Sequence, residues 1–248
     1  MLPASKSRKQ RARPAVACLV ITCEHGGNQV PARWRQQFRG CRALLDSHRG
    51  FDAGALVMAR ALAANFGAPL LSSTTSRLLV DLNRSIGHRK LHMEAIRMLP
   101  VELRQEIIAQ HYQPYRTAAE RLVARGIARR GRVIHLSCHS FTNNFEGVVR
   151  HADIGLLYDP ARPGERALCA QWKSGLKLAA PALDVRRNYP YAGRNDGLTS
   201  TLRKLYPPAA YLGIELELNQ KNLLLPASQW AALRESIITT LDTVLRQS

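Results

Sequence analysis

Val16-Ala-Cys-Leu-Val-Ile-Thr-Cys23, followed at once by Glu24-His25-Gly26-Gly27, is the stretch that decides how this chain folds. The run is apolar without interruption and stops at a glycine pair. That is the pattern of a strand buried on both faces, and so of a central strand in a parallel sheet. Downstream, Ala53 to Phe66 carries apolar residues at helical spacing and ends before Gly67; Pro69-Leu-Leu-Ser72 follows. Helix, turn and strand are read there, which implies a βαβ unit. The alternation continues. Strands are expected at Leu78–Leu82, Gly131–Ser137, Ile154–Tyr158 and Tyr211–Leu218, and helices over about 101–128, Pro163–Leu178 and Ser228–Leu245. Such a chain predicts an α/β fold, a mostly parallel sheet with helices on both faces. The polar, turn-rich segment from Asn188 to Gly197 is expected to be a surface loop near the site that the strand ends create.

Length and composition set the frame for this reading. With 248 residues, 46% hydrophobic and 22% charged, the chain can bury one large core unaided. Residues 1–14 are read as a disordered basic tail and 15–248 as a single domain. No apolar run reaches the length of a membrane span, and no secretory h-region follows the basic leader, so no membrane partner is expected. Five cysteines without CxxC spacing suggest neither a disulfide framework nor a zinc ribbon, which fits a cytoplasmic protein. The net charge of +18 attracts anions of every kind and does not choose among them. One alternative built on it is a basic nucleic-acid-associated protein with a vestigial hydrolase site. Against that reading, aromatic residues make up only 6% and are not interleaved with the basic ones as a stacking platform requires. A small-molecule substrate is the expected partner.

In open α/β sheets ligands bind outside the carboxyl ends of the strands. Three strands end in chemically active residues: Glu24 and His25 after the first, His139 within Ser137-Cys-His-Ser-Phe141, and Glu215 and Glu217. Two imidazoles, a carboxylate ligand and a further free carboxylate are the parts of a catalytic zinc site, in which the free carboxylate takes a proton from water. A lone histidine at a strand end is commonly a core or surface residue; the convergence of several ends is what raises the metal reading. The third ligand is open. Asn28, three residues after His25, is a poor ligand, whereas Asp52 near a helix start could ligate a metal or cap the helix. His48 and Glu24 stand in reserve. In Ser76-Arg77-Leu-Leu-Val-Asp81-Leu-Asn83-Arg84, the fork of Arg84 and the amide of Asn83 suit a substrate carboxylate. Arg77 is a candidate donor to the oxyanion of a tetrahedral intermediate, or else an ion-pair partner of Asp81.

Cys23-Glu-His-Gly-Gly-Asn-Gln-Val-Pro31, the His48 to Gly54 segment, Ser76 to Arg84, His139-Ser-Phe141, Asn188-Tyr-Pro-Tyr191 and Glu215-Leu-Glu-Leu-Asn219 come in one order over roughly residues 17–225. Together they resemble the N-formylglutamate amidohydrolase family. Asp81-Leu-Asn-Arg84 is also similar to a run of aspartoacylase and succinylglutamate desuccinylase, relatives of zinc carboxypeptidases in which the Asn-Arg pair binds substrate carboxylate. The resemblance implies a three-layer, phosphorylase/hydrolase-like (zinc exopeptidase-like) α/β fold with a mixed, mostly parallel sheet. It also implies a zinc ion and hydrolysis of an N-acyl amino acid, N-formyl and acidic in the first instance. Position by position, His25 and His139 match the metal-binding histidines and Glu217 the general base. Glu217 is followed by Leu-Asn-Gln-Lys-Asn-Leu where one branch of the family is richer in Arg and Asp, so Glu215 stays open as the base. Glu217 is preferred for lying nearer the strand's carboxyl end, with the pair expected on opposite faces. Asn188 and Arg203 are further candidates for gripping substrate.

Overall fold

In β3 (Val133–Phe141) every residue is buried, yet polar and apolar side chains alternate along it: His135, Ser137 and His139 on one face, Ile134, Leu136 and Cys138 on the other. This strand organises the rest of a computed structural model that describes residues 18–247. The tail expected over residues 1–14, and the first two residues of the opening apolar run, lie outside the described residues. Before β3 come β1 (Cys18–Cys23), α1 (Arg42–Leu45), α2 (Ala55–Phe66), β2 (Leu70–Ser72), α3 (Glu94–Arg97), α4 (Val101–Ile107) and α5 (Gln113–Arg130). After it come the hairpin β4 (Asn144–Phe145) and β5 (Val148–Val149), β6 (Ile154–Leu157), α6 (Pro163–Ala179), β7 (Val185–Arg187), α7 (Leu198–Leu205), β8 (Tyr211–Asn219) and α8 (Ala227–Gln247).

Six strands form one mixed sheet in the order β2-β1-β3-β8-β6-β7. The first four run parallel, while β6 is antiparallel to β8 and parallel to β7. One face of the sheet presents Ile21, Leu136, Ile214 and Leu216 to α2, α6 and α8 in the larger apolar cluster. The other face meets α5, α7 and the segment 78–96 around a second cluster. Helices therefore cover both faces of a three-layer α/β fold. From β1 the chain leads to β2 on one side and, later, to β3 on the other, so the carboxyl ends of β1 and β3 flank a topological switch point.

The second face is where the site grows. Thr22, Ser137 and Glu215 are in register across β1, β3 and β8, and His139 is in register with Glu217. Register neighbours in a sheet share a face, and so do residues two apart on one strand. Glu215 and Glu217 therefore point the same way; the expectation that they face opposite sides was wrong. His135 in this polar stripe is fixed between the Thr22 hydroxyl (2.8 Å) and the Tyr211 hydroxyl (2.7 Å). Burial pushes its imidazole down to about 4, which keeps it neutral.

Two local expectations change. Residues 78–82 are not a strand but a chain of turns, in which Leu79 N donates to Ser76 O, Arg84 N to Asp81 O and Met93 N to Leu78 O. Leu78, Leu79, Val80 and Leu82 are buried because the turns pack into the second cluster, not because they join a sheet. The strand expected to stop at Ser137 runs on to Phe141, placing His139 inside the sheet. At Gly155 in β6, a Cβ would meet the Tyr189 carbonyl oxygen at 2.0 Å and the Glu217 Cβ at 3.1 Å. Only glycine lets the 188–197 loop cross the strand so close to Glu217. Among the described residues, no helix is long and apolar enough to cross a membrane.

Candidate metal centre

His25 leaves the end of β1, His139 projects from β3, and Asp52 sits in the turn before α2. The Asp52 N–H donates to His25 O at 2.9 Å, so backbone bonding fixes the turn against the strand end. Asp52 does not cap the helix: the cap residue is Gly54, with no side-chain bond. Its carboxylate turns inward instead. Oδ2 lies 3.2 Å from His25 Nδ1 and 2.8 Å from His139 Nδ1. One ligand atom from each of the three residues lies within 4.8 Å of the others, and all three residues are buried.

Behind each ring stands another carboxylate. His25 Nε2 is 2.7 Å from Asp81 Oδ1, and His139 Nε2 is 3.1 Å from Glu24 Oε2. Glu24 is itself held by the Ser137 hydroxyl at 2.5 Å and the Tyr115 hydroxyl at 3.0 Å. With a proton on each Nε2 satisfied by a carboxylate, loss of the Nδ1 protons would turn two lone pairs toward Asp52 Oδ2. Ligands of a tetrahedral zinc ion stand about 3.3 Å apart, given metal–ligand bonds of about 2.0–2.1 Å. The observed spacings need little adjustment to accept one, and the donor set of two imidazoles and a carboxylate fits the ion.

Electrostatics make the same demand. Glu24, Asp52 and Asp81 are buried together, and Arg77 bridges two of them, with Nη2 2.7 Å from Asp81 Oδ2 and Nη1 3.2 Å from Asp52 Oδ1. Burial alone would raise Asp52, but the charge of His25 and hydrogen bonds from both rings hold it far below the usual carboxylate range. Burial alone would lower His139, yet hydrogen bonds to Asp52 and Glu24 and the charge of both push its imidazole well up. His25 is raised also: Asp81 and Asp52 outweigh its burial and the nearby Arg77. The cluster requires positive charge between Asp52 and the rings. Protons supply it here, and a divalent cation can replace them.

The triad opens on a cleft of about 950 Å³ that Arg77, Asn83, Arg84, Glu215 and Glu217 also line. Glu215 accepts from the Thr199 hydroxyl at 2.7 Å. Glu217 is the freer carboxylate: its Oε2 is buried and, among the described residues, has no hydrogen-bond partner. Burial, with Asp52 and Glu215 nearby, pushes it up to about 7 against the opposing pull of His139 and Arg77. Arg84 spends Nη1 on Asp196 O at 2.6 Å and leaves a buried Nε without an acceptor among the described residues. Asn83 receives the Leu198 N–H at 2.7 Å on Oδ1 and keeps Nδ2 near His139, at 3.3 Å from Nε2. His48 lines the cleft but stands outside the triad, edge-on to Phe145.

The family model for N-formylglutamate amidohydrolase matches residues 17–224. The chain belongs to the N-formylglutamate amidohydrolase family. Among solved structures it is similar to the gene product Atu2144 from Agrobacterium tumefaciens, at 28% identity and a TM-score of 0.76, covering 93% of this chain and 92% of that one. It shares its fold with the N-formylglutamate amidohydrolase from Ralstonia eutropha JMP134, at 20% identity and a TM-score of 0.70, covering 94% of each. No curated protein sequence matches it.

For this N-formylglutamate amidohydrolase family member, the structure sorts the residues singled out from sequence. It brings His25, Asp52, His139, Arg77, Asn83, Arg84 and Glu217 to one cleft. Asn188 and Arg203 are not brought there. Asn188 Oδ1 receives the N–H groups of Tyr158 and Gly193, both at 3.0 Å, which ties the loop to the end of β6. Arg203 is buried against Glu165 at 3.0 Å and donates to Gly193 O and Gly213 O at 2.6 and 2.7 Å. Sequence reading missed Asp81 as a partner of His25 and Tyr115 as a partner of Glu24. Asp81 had a signal, standing two residues before Asn83; Tyr115, on a remote helix, had none. Removing Arg203 would strand the Glu165 carboxylate in the core. Arg203→Met is expected to cost about 3–5 kcal/mol in urea unfolding. Unchanged stability together with a raised KM would return Arg203 to the substrate.

Proposed function

We propose that the chain hydrolyses the amide of an N-acyl amino acid, foremost an N-formyl acidic one, using a zinc ion held by His25, Asp52 and His139. The observation that carries this reading is the Asp52 oxygen shared by two Nδ1 atoms whose rings are braced by carboxylates, beside a carboxylate with a free oxygen. When bound, zinc supplies a Lewis acid that makes water nucleophilic near neutral pH and polarises the acyl oxygen.

The chain's own residues do the rest. Glu217 accepts a proton from the attacking water on its unpartnered Oε2 and returns it to the departing amine nitrogen. Arg84 and Asn83 hold the amino-acid carboxylate, so the scissile carbonyl is fixed over the triad and the attack becomes effectively intramolecular. The planar fork of Arg84 suits that task better than a lysine would, and its unused Nε is already desolvated. Arg77 has donors left after its bonds to Asp52 and Asp81 and lies at the cleft wall, placed to steady negative charge on the acyl oxygen. The products are a carboxylate and a free amino acid. A cytoplasmic setting accompanies this reading, since the five cysteines are free.

A panel of N-formyl, N-acetyl and N-succinyl amino acids with added zinc, read by release of free amine, tests the reaction. Cleavage of N-formyl acidic substrates first is expected, and no release from any member would overturn it. Glu217→Gln is expected to keep its metal and lose turnover by about 10²–10⁴-fold. The base must be ionised, so kcat/KM of the wild type falls as pH drops through the Glu217 pKa. That limb lies at or below about 7, because a cation in the triad draws the carboxylate down. A fully active Glu217→Gln protein would assign the base elsewhere. Arg84→Lys keeps charge and loses the fork: KM is expected to rise about tenfold or more with metal content unchanged. An unchanged KM would leave Arg84 a purely structural role.

A further inference from the structure

Beside the cleft, residues 86–92, α3 and α4 enclose a second pocket of about 310 Å³. Its apolar part is Leu91 and Ile108, with Ile86 and Val101 exposed at the rim. Its polar part is one-sided. Arg89, Arg97 and Arg104 line it together with His88 and His92, and among the described residues no carboxylate does. The Lys90 N–H donates to His88 Nδ1 at 3.1 Å, which leaves the imidazole proton on Nε2 as a donor. His92 is buried and gives its Nδ1 to Leu79 O at 2.6 Å.

In a chain this rich in arginine, a single exposed guanidinium needs no ligand, because water satisfies it. Arg104 is different: its Nε is buried and, among the described residues, has no acceptor. Burial pushes the His92 imidazole down against the hydrogen bond to Leu79 O, and the nearby Arg104 charge adds to the burial. A concavity lined by one sign of charge over an apolar floor concentrates counter-ions. Planar guanidinium forks suit oxyanions, carboxylate or phosphate, with paired N–H groups. Arg89, His92 and Arg97 also line the cleft, so the two cavities share a wall.

We propose that this pocket is a second oxyanion site, taking the carboxylate or phosphate group of a small organic anion. The anion can be the end of the substrate remote from the scissile amide, which rests on the function proposed above, or a separate molecule. The site itself rests on neither.

The test is a calorimetric titration of the full chain with inorganic phosphate, in the wild type, Arg104→Met and Arg84→Met. Saturable binding is expected in the wild type, weakened at least tenfold by Arg104→Met and retained by Arg84→Met. If Arg104→Met fails to fold, His88→Ala on the neighbouring loop serves, with weakening of at least threefold expected. No saturable binding by the wild type, equal binding by a folded pocket variant, or loss in Arg84→Met alone would overturn the proposal. Because no turnover is involved, the outcome is separate from that of the proposed reaction. Kinetics then identify the source. If the anion belongs to the substrate, Arg104→Met raises KM for an N-formyl amino acid with an acidic side chain and not for one with a methyl side chain. If the anion is a separate molecule, neither KM moves while phosphate binding is still lost.

Discussion

One carboxylate oxygen, Oδ2 of Asp52, lies between two imidazole nitrogens that are 114 positions apart in the sequence, at His25 and His139. Neither ring is free to turn away, because Asp81 and Glu24 hold the opposite nitrogens. Three carboxylates are thereby buried around two imidazoles and one guanidinium. Removing such charges from water is costly unless opposite charge meets them at bonding distance. The arrangement calls for positive charge at its centre, which protons on the rings supply and a cation could supply in their place.

The sheet is built to satisfy it. β3 and the second half of β8 alternate apolar and polar residues, a pattern that normally belongs to a strand with one face in water, and Thr22 of the otherwise apolar β1 joins their polar face. Here the polar face is covered by α5, α7 and the turns of residues 76–85, so its side chains bond to one another. Thr22, His135 and Tyr211 form one such chain; Ser137, Glu24 and Tyr115 form another. At the carboxyl ends of the strands the stripe meets the cleft, and there His139 and Glu217 face open volume. The loop after β7 is held across that end by Asn188 and the Arg203–Glu165 pair.

Much of this was legible in the chain. The unbroken apolar run of β1, the helix after it and the strand ending in Ser137-Cys-His139 give the α/β class and put two histidines at one sheet edge. Asp52, Asn83 and Arg84 stood out by residue chemistry as candidates, Asp52 beside His48 and Glu24, and the structure brings them to the cleft. What escaped was set by tertiary contact. Leu78 to Leu82 has a strand's composition, but its backbone groups are satisfied within turns and by Leu91 and Met93, so apolarity there records burial and not pairing. Arg203 and Asn188 look like ligand-binding residues in a polar segment, yet they spend their hydrogen bonds on Glu165 and on backbone. Charge type alone cannot separate an arginine that grips a substrate from one that anchors a loop.

Zinc per chain, measured by plasma emission on wild-type and Asp52→Ala protein after equilibration with the ion and gel filtration, shows whether Asp52 and the two rings hold an ion. One ion per wild-type chain and almost none in the variant are expected, with both still folded. Equal loading of the two, or a wild type that stays empty, would contradict that expectation.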